Sequence, residues 1–507
     1  MASQQDLFYD VIVVGGGNAA LVSALAAHKA GARVVIFEAA PEAEHGGNSR
    51  FSSGIFRIPH DGLHEVEPLL DESALDDVAH CRMEPYTADQ YRGDIERTSK
   101  GHCDGAQVSV MLENAFETVK WMKDELGVKW QLPLGKFFDR KKIIRAQGVV
   151  DMPPWDTVMA IGEGTGLMEA LWEAVKKRPE IAVFHASPVS GLIADGDTVR
   201  GVTVRQRDTT LRVYGQVILG SGGFEASPRL RRQYLGEGWD LVALRGSRFN
   251  TGRMLEQAVA SGAAAIGNFG GCHATPHDLN APKILNPSDA DRMSRYSFPY
   301  SVMVNADGRR FMDEGENVFS LTYAKTGAAI VRQRHAIAFQ IFDQKTLHLL
   351  EPRYSVASPV QADTLEELAQ KIGVDANAFS ATIAQYNRVT PPDATERFNA
   401  FSRDGVSTGT ALDIPKSNWA LPIDQPPFVA YGVTCGITFT YGGLQVDDAA
   451  RVLNDEGLVM PGLWAVGEIA GGFFAFNYPG GSGLTKGAVF GKLAGESAAQ
   501  RARGTNR

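Results

Sequence analysis

Cysteine is scarce. There are four in 507 residues, at Cys81, Cys103, Cys272 and Cys435. None stands in a C-x-x-C or C-x-x-C-H spacing, which argues against a zinc ribbon, an Fe–S cluster held by this chain and attached c-type haem. Such sparse use fits a reducing compartment. Long apolar runs are missing too: nothing approaches the roughly 18 residues of a membrane span. The opening MASQQDLFYD has no basic stretch followed by an apolar one, so no signal peptide is expected. A cytoplasmic protein is the expectation. Positive charge is short, with 50 Lys and Arg against 59 Asp and Glu. That balance leaves no basic footprint for nucleic acid. No G-x-S-x-G element occurs, so a serine hydrolase has no support.

Glycine is what the chain has in excess. It has 54, against about 36 at the usual ~7% usage. Twenty of them sit in clusters at 15–17, 46–47, 162–166, 220–223, 442–443 and 467–487. That places the surplus where backbone must approach something closely, not in flexible linkers. Hydrophobic residues at 44% and charged residues at 21% are those of an ordinary folded chain.

Residues 9–14 form a short β-branched run, as in a buried parallel strand. Gly15-Gly16-Gly17 follows. Residues 19–30 read as an alanine-rich helix, and 33–37 as a second buried strand ending at Glu38. Residues 106–126 and 165–177 read as amphipathic helices, 181–212 as a strand meander, and 217–220 as another buried strand. Between 268 and 432 prolines, histidines and polar loops are denser, and no β–Gly–α unit appears. After 433 the first texture returns, ending in a helix over about 484–501. The pattern predicts an α/β nucleotide-binding domain built from 1–267 and 433–507, with a second domain, 268–432, inserted.

Gly15-x-Gly17-x-x-Ala20 lies between the first strand and the first helix. Gly15 permits the tight turn, Gly17 lets backbone approach a pyrophosphate, and Ala20 allows close helix–strand packing. The helix start at Asn18 and Ala19 offers free N–H groups to phosphate. Glu38, 21 residues beyond Gly17, can accept hydrogen bonds from both ribose hydroxyls, which disfavours NADP. Gly46-Gly47-Asn48-Ser49 and Val466-Gly467-Glu468 are features an NAD site does not need. FAD is longer and needs contacts far from the first βαβ unit. Glu468 can hold ribityl hydroxyls, and the helix near Ser482 can aim N–H groups at the pyrimidine end of a flavin.

With these pieces the chain resembles the flavoprotein family of fumarate reductases and succinate dehydrogenases over nearly its whole length. The matching stretches are 13–17, 46–49, Gly220-Ser221-Gly222-Gly223-Phe224, Asn250-Thr251-Gly252, 305–314, 441–447 and 467–472. The resemblance implies a Rossmann-like FAD-binding domain of the glutathione-reductase type, split by an inserted α+β capping domain. It adds Gly222, Gly223, Asn250, Gly252, Gly481 and Leu484 to the expected FAD contacts. The family's covalent FAD histidine has no counterpart beside Asn48-Ser49, so FAD is expected to be non-covalent.

The chain departs from that family where its chemistry happens. The proton-donating arginine is missing from 315–320, Thr438 to Tyr441 replace the late histidine, and Tyr478 replaces the carboxylate-clamping arginine. Residues 271–276, 436–443 and 477–484 look most like tricarballylate dehydrogenase. Tyr478-Pro479-Gly480 is also similar to 3-ketosteroid dehydrogenases, in which one tyrosine acts as base and another polarises the ketone. Tyr323 and Tyr478 match those two positions, the first approximately.

The implied reaction is desaturation of a C–C bond next to a carboxylate or carbonyl, with hydride to the flavin and a proton to a base. Tyr323, Tyr478 and His273 are the expected catalytic residues, with Lys325 a candidate to lower the Tyr323 pKa. Arg145, Arg245, Arg248, Thr438 and Tyr441 are the expected substrate contacts, since a polycarboxylate demands cations. A ketosteroid-type dehydrogenase and an ene-reductase fed by a redox partner are the alternatives. Electrons are expected to pass to oxygen, a quinone or a separate redox protein.

Overall fold

The computed structural model describes residues 5–137, 148–206, 209–289 and 291–505. The chain opens with β1 (Gln5–Val14), α1 (Asn18–Lys29) and β2 (Val34–Phe37), the βαβ unit expected from the glycine fingerprint. After α2 (Gly105–Leu126), β3 (Ala182–Phe184) extends the sheet beside β2 in parallel. The meander is β4 (Val189–Asp195), β5 (Thr198–Gln206) and β6 (Thr209–Leu219), antiparallel in sequence. Strand β6 also runs parallel to β1 along most of its length, from Gln5 beside Leu211 to Val14 beside Leu219, with a register shift after Phe8.

A second sheet follows. Its strands are β7 (Cys272–Asp278), β8 (Val302–Asn305), β9 (Ala338–Phe342), β10 (Val360–Ala362) and β11 (Phe428–Thr440). The long β11 pairs antiparallel with β7, β9 and β10, and β9 pairs with β8. Ala243–Leu244 joins the same sheet in parallel with Gly436 and Ile437. The sheet therefore does not break at residue 433, where the sequence texture changes. Between β8 and β9, α3 (Tyr323–Val331) packs on β7 so closely that a Cβ on Gly327 would come within 2.5 Å of the Ala274 backbone.

The chain then returns to the first sheet through β12 (Arg451–Leu453) and β13 (Val459–Ala465), the latter parallel to β6, and ends in α4 (Ser482–Thr505). Among the described residues no helix is long and apolar enough to cross a membrane.

Two close approaches set the floor of the site. Gly15 has φ +114°, and a Cβ there would lie 2.4 Å from the Gly220 carbonyl oxygen. Only glycine lets the end of β1 cross the end of β6. Helix α1 is buried almost all round because α4 covers it. A Cβ on Gly495 would lie 2.3 Å from the Ser23 carbonyl. Gly495→Leu is expected to wedge these helices apart and cost about 2–3 kcal/mol, seen as a lower denaturant midpoint. An unchanged midpoint would contradict this packing.

Candidate active site

One large cavity runs from the β1–α1 turn to the second sheet. Its nucleotide end is lined by Gly15, Gly17, Asn18, Ala19, Glu38 and Gly47. Asn18 opens α1, and its backbone N–H donates to Ser49 Oγ at 3.1 Å. Its side-chain Nδ2 donates to the Leu484 carbonyl at 2.9 Å, tying α1 to α4, while Oδ1 is buried and unpartnered. Glu38 accepts from the Ala40 N–H at 2.7 Å, and burial pushes its carboxyl up to about 7.

That value has a consequence for binding. A ribose hydroxyl needs the ionised carboxylate as acceptor. Below pH 7 the empty site holds Glu38 neutral, and ionising it costs free energy. Affinity for FAD is expected to fall about tenfold between pH 8 and pH 6, and Glu38→Gln to flatten that dependence. Titration calorimetry on apoprotein measures both. By the same linkage, the raised pKa makes apoprotein stability decline as pH rises from the ordinary carboxylate range through 7.

Further along, Asn48 is fully used by the protein. Its Nδ2 donates to Glu225 Oε1 and to the Thr438 carbonyl, both at 2.7 Å, and its Oδ1 accepts from the Ser247 N–H at 2.8 Å. It ties the first sheet to β11. Glu468 accepts from the Thr440 N–H at 2.8 Å and sits against Glu225. Burial and the facing carboxylate raise Glu225 well above its ordinary range, and burial raises Glu468. Two buried carboxylates in contact hold a proton between them. A cradle of glycines, with the Asn18 Oδ1 acceptor on its wall left unpaired, fits the hydroxyl-rich chain of FAD. Glycine is required at Gly222 (φ +72°), where a Cβ would lie 2.4 Å from Asn250 Nδ2.

The other end of the cavity is aromatic. Tyr478, Tyr323 and Phe439 surround His273, with ring centroids 4.9 to 5.1 Å from its imidazole. Tyr296, Tyr441, Phe473 and Phe474 complete the box. The Tyr478 hydroxyl accepts a hydrogen bond from the Gly483 N–H at 3.0 Å, in the first turn of α4. Burial nevertheless pushes it up to about 12. Tyr323, the first residue of α3, is raised well above the ordinary phenol range by burial, then by the facing Tyr478 and Tyr296. His273 is driven well below its ordinary value by burial and then Arg245, so it is neutral, and its Nδ1 is buried without a partner. The Tyr441 hydroxyl is likewise unpaired.

Arg245 also reaches this end, but it is occupied. It donates to Ser294 Oγ at 2.8 Å, to Thr438 Oγ1 at 2.7 Å, and to Asp291. Asp291 further accepts from Arg353 at 2.9 Å and Ser53 at 2.6 Å, with Lys136 at 3.4 Å. Burial favours the neutral acid, but these cations win and hold Asp291 well below its ordinary range. Much of the Arg245 charge is therefore offset before any substrate arrives.

Several expected residues stand elsewhere. Arg248 is half exposed, pairs with Glu44 at 2.6 Å and is not part of the cavity wall. Lys325 pairs with Glu316 at the surface and does nothing to lower Tyr323. Position i+2 on a helix faces away. The Ser482 hydroxyl accepts from Tyr91 at 2.9 Å, outside the cavity wall, which its neighbours Gly481, Gly483 and Leu484 do line. Gly223 backs onto Glu468 instead of the cavity, whereas Asn250 and Gly252 line it. Arg145 lies outside the described residues. Sequence reasoning missed Glu225, Tyr296, Asp291 and Lys486. Glu225 follows Gly222-Gly223-Phe224 directly and was within reach of that motif. The others carry no local signal. Lys486 donates to the Gly467 and Ala470 carbonyls on the cavity wall, and burial brings it down to about 7.

Comparison with known proteins agrees with this geometry. A family model described as FAD binding domain matches residues 10–484. NADH:acrylate oxidoreductase of Vibrio harveyi is 26% identical, over 96% of this chain and 50% of its own length. The chain thus spans half of that relative. Fumarate reductase (cytochrome) of Shewanella frigidimarina is 26% identical, over 97% of this chain and 77% of its own. The structure of 3-ketosteroid delta1-dehydrogenase from Sterolibacterium denitrificans, in complex with 1,4-androstadiene-3,17-dione, superposes with a TM-score of 0.72 at 21% identity. It covers 97% of this chain and 100% of that one, and shows the same fold. With a family match over most of its length and a cradle that fits the cofactor, the chain belongs to the FAD binding domain family, in the company of the fumarate reductase flavoproteins, and is an FAD-dependent oxidoreductase.

Proposed function

We propose that the protein is a dehydrogenase that desaturates a C–C bond next to a carbonyl in a compact, largely apolar substrate, with FAD held non-covalently. Bound FAD supplies the hydride acceptor. The observation that carries this reading is the pairing of a tyrosine-walled box with a Tyr478 hydroxyl already engaged by a backbone N–H. With its oxygen held as acceptor, that hydroxyl has its proton free to polarise a carbonyl, which acidifies the neighbouring C–H bond. Tyr323 faces the same space and is placed to take part in moving the proton.

A polycarboxylate needs several free cations. Among the described residues, the cations on the cavity wall are Arg245, Arg253 and Lys486. The first is offset by Asp291 and the third is bound to two carbonyls. This favours a ketone over tricarballylate. A single carboxylate is the second reading, favoured by Arg245 and Thr438 standing together on the wall.

The two-part architecture stays the proposed one, an FAD domain from both chain ends (1–267 and 433–507) around a cap (268–432), with the second sheet reaching past both bounds to Ala243–Leu244 and Thr440. The box takes His273, Tyr296 and Tyr323 from the middle segment and Tyr478 from the last. Reoxidation falls to oxygen, a quinone or a separate redox protein. Incubation with a panel of cyclic ketones and an artificial electron acceptor tests the reading. The ultraviolet band of a conjugated enone should appear. Turnover of tricarboxylates alone would overturn it.

A further inference from the structure

Deprotonation inside a buried aromatic box leaves a proton that must find a way out, and this inference rests on the desaturation reading above. A second, smaller cavity adjoins the first. Asp156, Tyr296, Phe319 and Ser320 belong to the walls of both. Three of the four can carry a transferable proton. Ser320 Oγ is buried with no hydrogen-bond partner, and an unpaired buried hydroxyl is rare enough to call for a use. The Tyr296 hydroxyl is buried beside Ser294. The Tyr296 ring meets Tyr323 edge-on at 4.9 Å. Ser320 is fixed to the Tyr478 loop, its carbonyl accepting from the Gly480 N–H at 3.0 Å. Asp156 is 3% exposed.

We propose that Asp156 is the terminal acceptor of the substrate's proton, reached from Tyr323 through the Tyr296 and Ser320 hydroxyls, and that it releases that proton into the second cavity. The C–H bond at the activated carbon breaks, and its proton goes to the Tyr323 oxygen as Tyr323's own proton moves down the hydroxyls to Asp156. The electron pair left behind forms the new C=C bond as the neighbouring carbon gives up hydride to FAD. The substrate loses two hydrogens, and Asp156 becomes a neutral acid that returns its proton to water.

The titration of the walls agrees. The phenols are raised too far to stand as phenolates, and His273 is too weak a base. Burial lifts Asp156 to about 6, with Arg57 pulling the other way. At neutral pH it is ionised yet holds a proton well. The groups around it are Arg57, Tyr296 and, across the second cavity, Asp151 and Glu351, the last paired with Arg353 at 3.0 Å.

The test is anaerobic stopped-flow reduction of the holoenzyme by a cyclic ketone, from pH 5 to 9. In the wild type the rate should rise with pH through about 6. Asp156→Asn should slow reduction about 100-fold at unchanged ketone affinity and abolish that limb, and Asp156→Glu should restore it. A protonated-carboxyl infrared band titrating near the same pH should vanish in Asp156→Asn, a readout that needs no turnover. Wild-type speed in Asp156→Asn, or a limb that survives the change, overturns the proposal. Failure of every ketone to reduce the wild type overturns the desaturation reading itself, and this inference with it.

Discussion

Replacing Tyr478 with phenylalanine is expected to leave a folded, yellow protein whose flavin is reduced by substrate 100- to 1,000-fold more slowly, about 3–4 kcal/mol in the barrier. The ring stays, so the aromatic packing against His273, Phe439 and Phe474 is kept. Only the hydroxyl that accepts from the Gly483 N–H is removed. Substrate affinity should change far less than the reduction rate, because the developing enolate needs this donor more than the resting carbonyl does. Stopped-flow reduction across substrate concentrations separates the two. An unchanged limiting rate would take Tyr478 out of the mechanism.

The second large effect is expected from Gly17→Val. Gly17 has φ −84° and ψ −179°, an extended backbone that valine adopts readily. A Cβ there meets only the Gly46 carbonyl and Ser49 Oγ, at 3.6 Å. The fold therefore tolerates the side chain. The space it occupies, between the α1 N-terminus and the Gly46-Gly47 turn, is where the pyrophosphate would approach backbone N–H groups. The variant should be folded by circular dichroism but colourless, with FAD affinity down at least about 100-fold, ~2.7 kcal/mol. A variant that still purifies yellow would place the dinucleotide elsewhere.

The contrast between these residues shows what one dimension of sequence can hold. Gly15, Gly17 and Glu38 are tied by spacing along one βαβ unit, and their chemistry depends on that spacing. They stand on the cavity wall. The helices α1, α2 and α4 were legible for a similar reason, since each declares itself by local periodicity and punctuation; the meander was legible in part, for residues 182–184 pair with β2 instead and the strand expected at 217–220 is the end of β6. Ranking the arginines was not possible in the same way. Arg245 and Arg248 are three residues apart and look equivalent. Yet one is buried against Asp291 and the other, itself exposed, reaches a half-buried Glu44. What separates them is a loop aspartate 46 residues away in the chain. Tyr296 and Asp156 have no motif at all. Their meaning comes from a shared wall that exists only once two cavities have formed. Lys325 shows the converse error: nearness in sequence suggested help for Tyr323, and helix geometry turned it to solvent.

The most direct test of the whole account is the visible spectrum of purified protein during anaerobic titration with a cyclic ketone. The account predicts an oxidised flavin spectrum that bleaches with one equivalent of substrate and stays unchanged with tricarballylate. A protein that neither carries nor takes up FAD, or whose flavin remains oxidised with ketones while tricarballylate bleaches it, would contradict it.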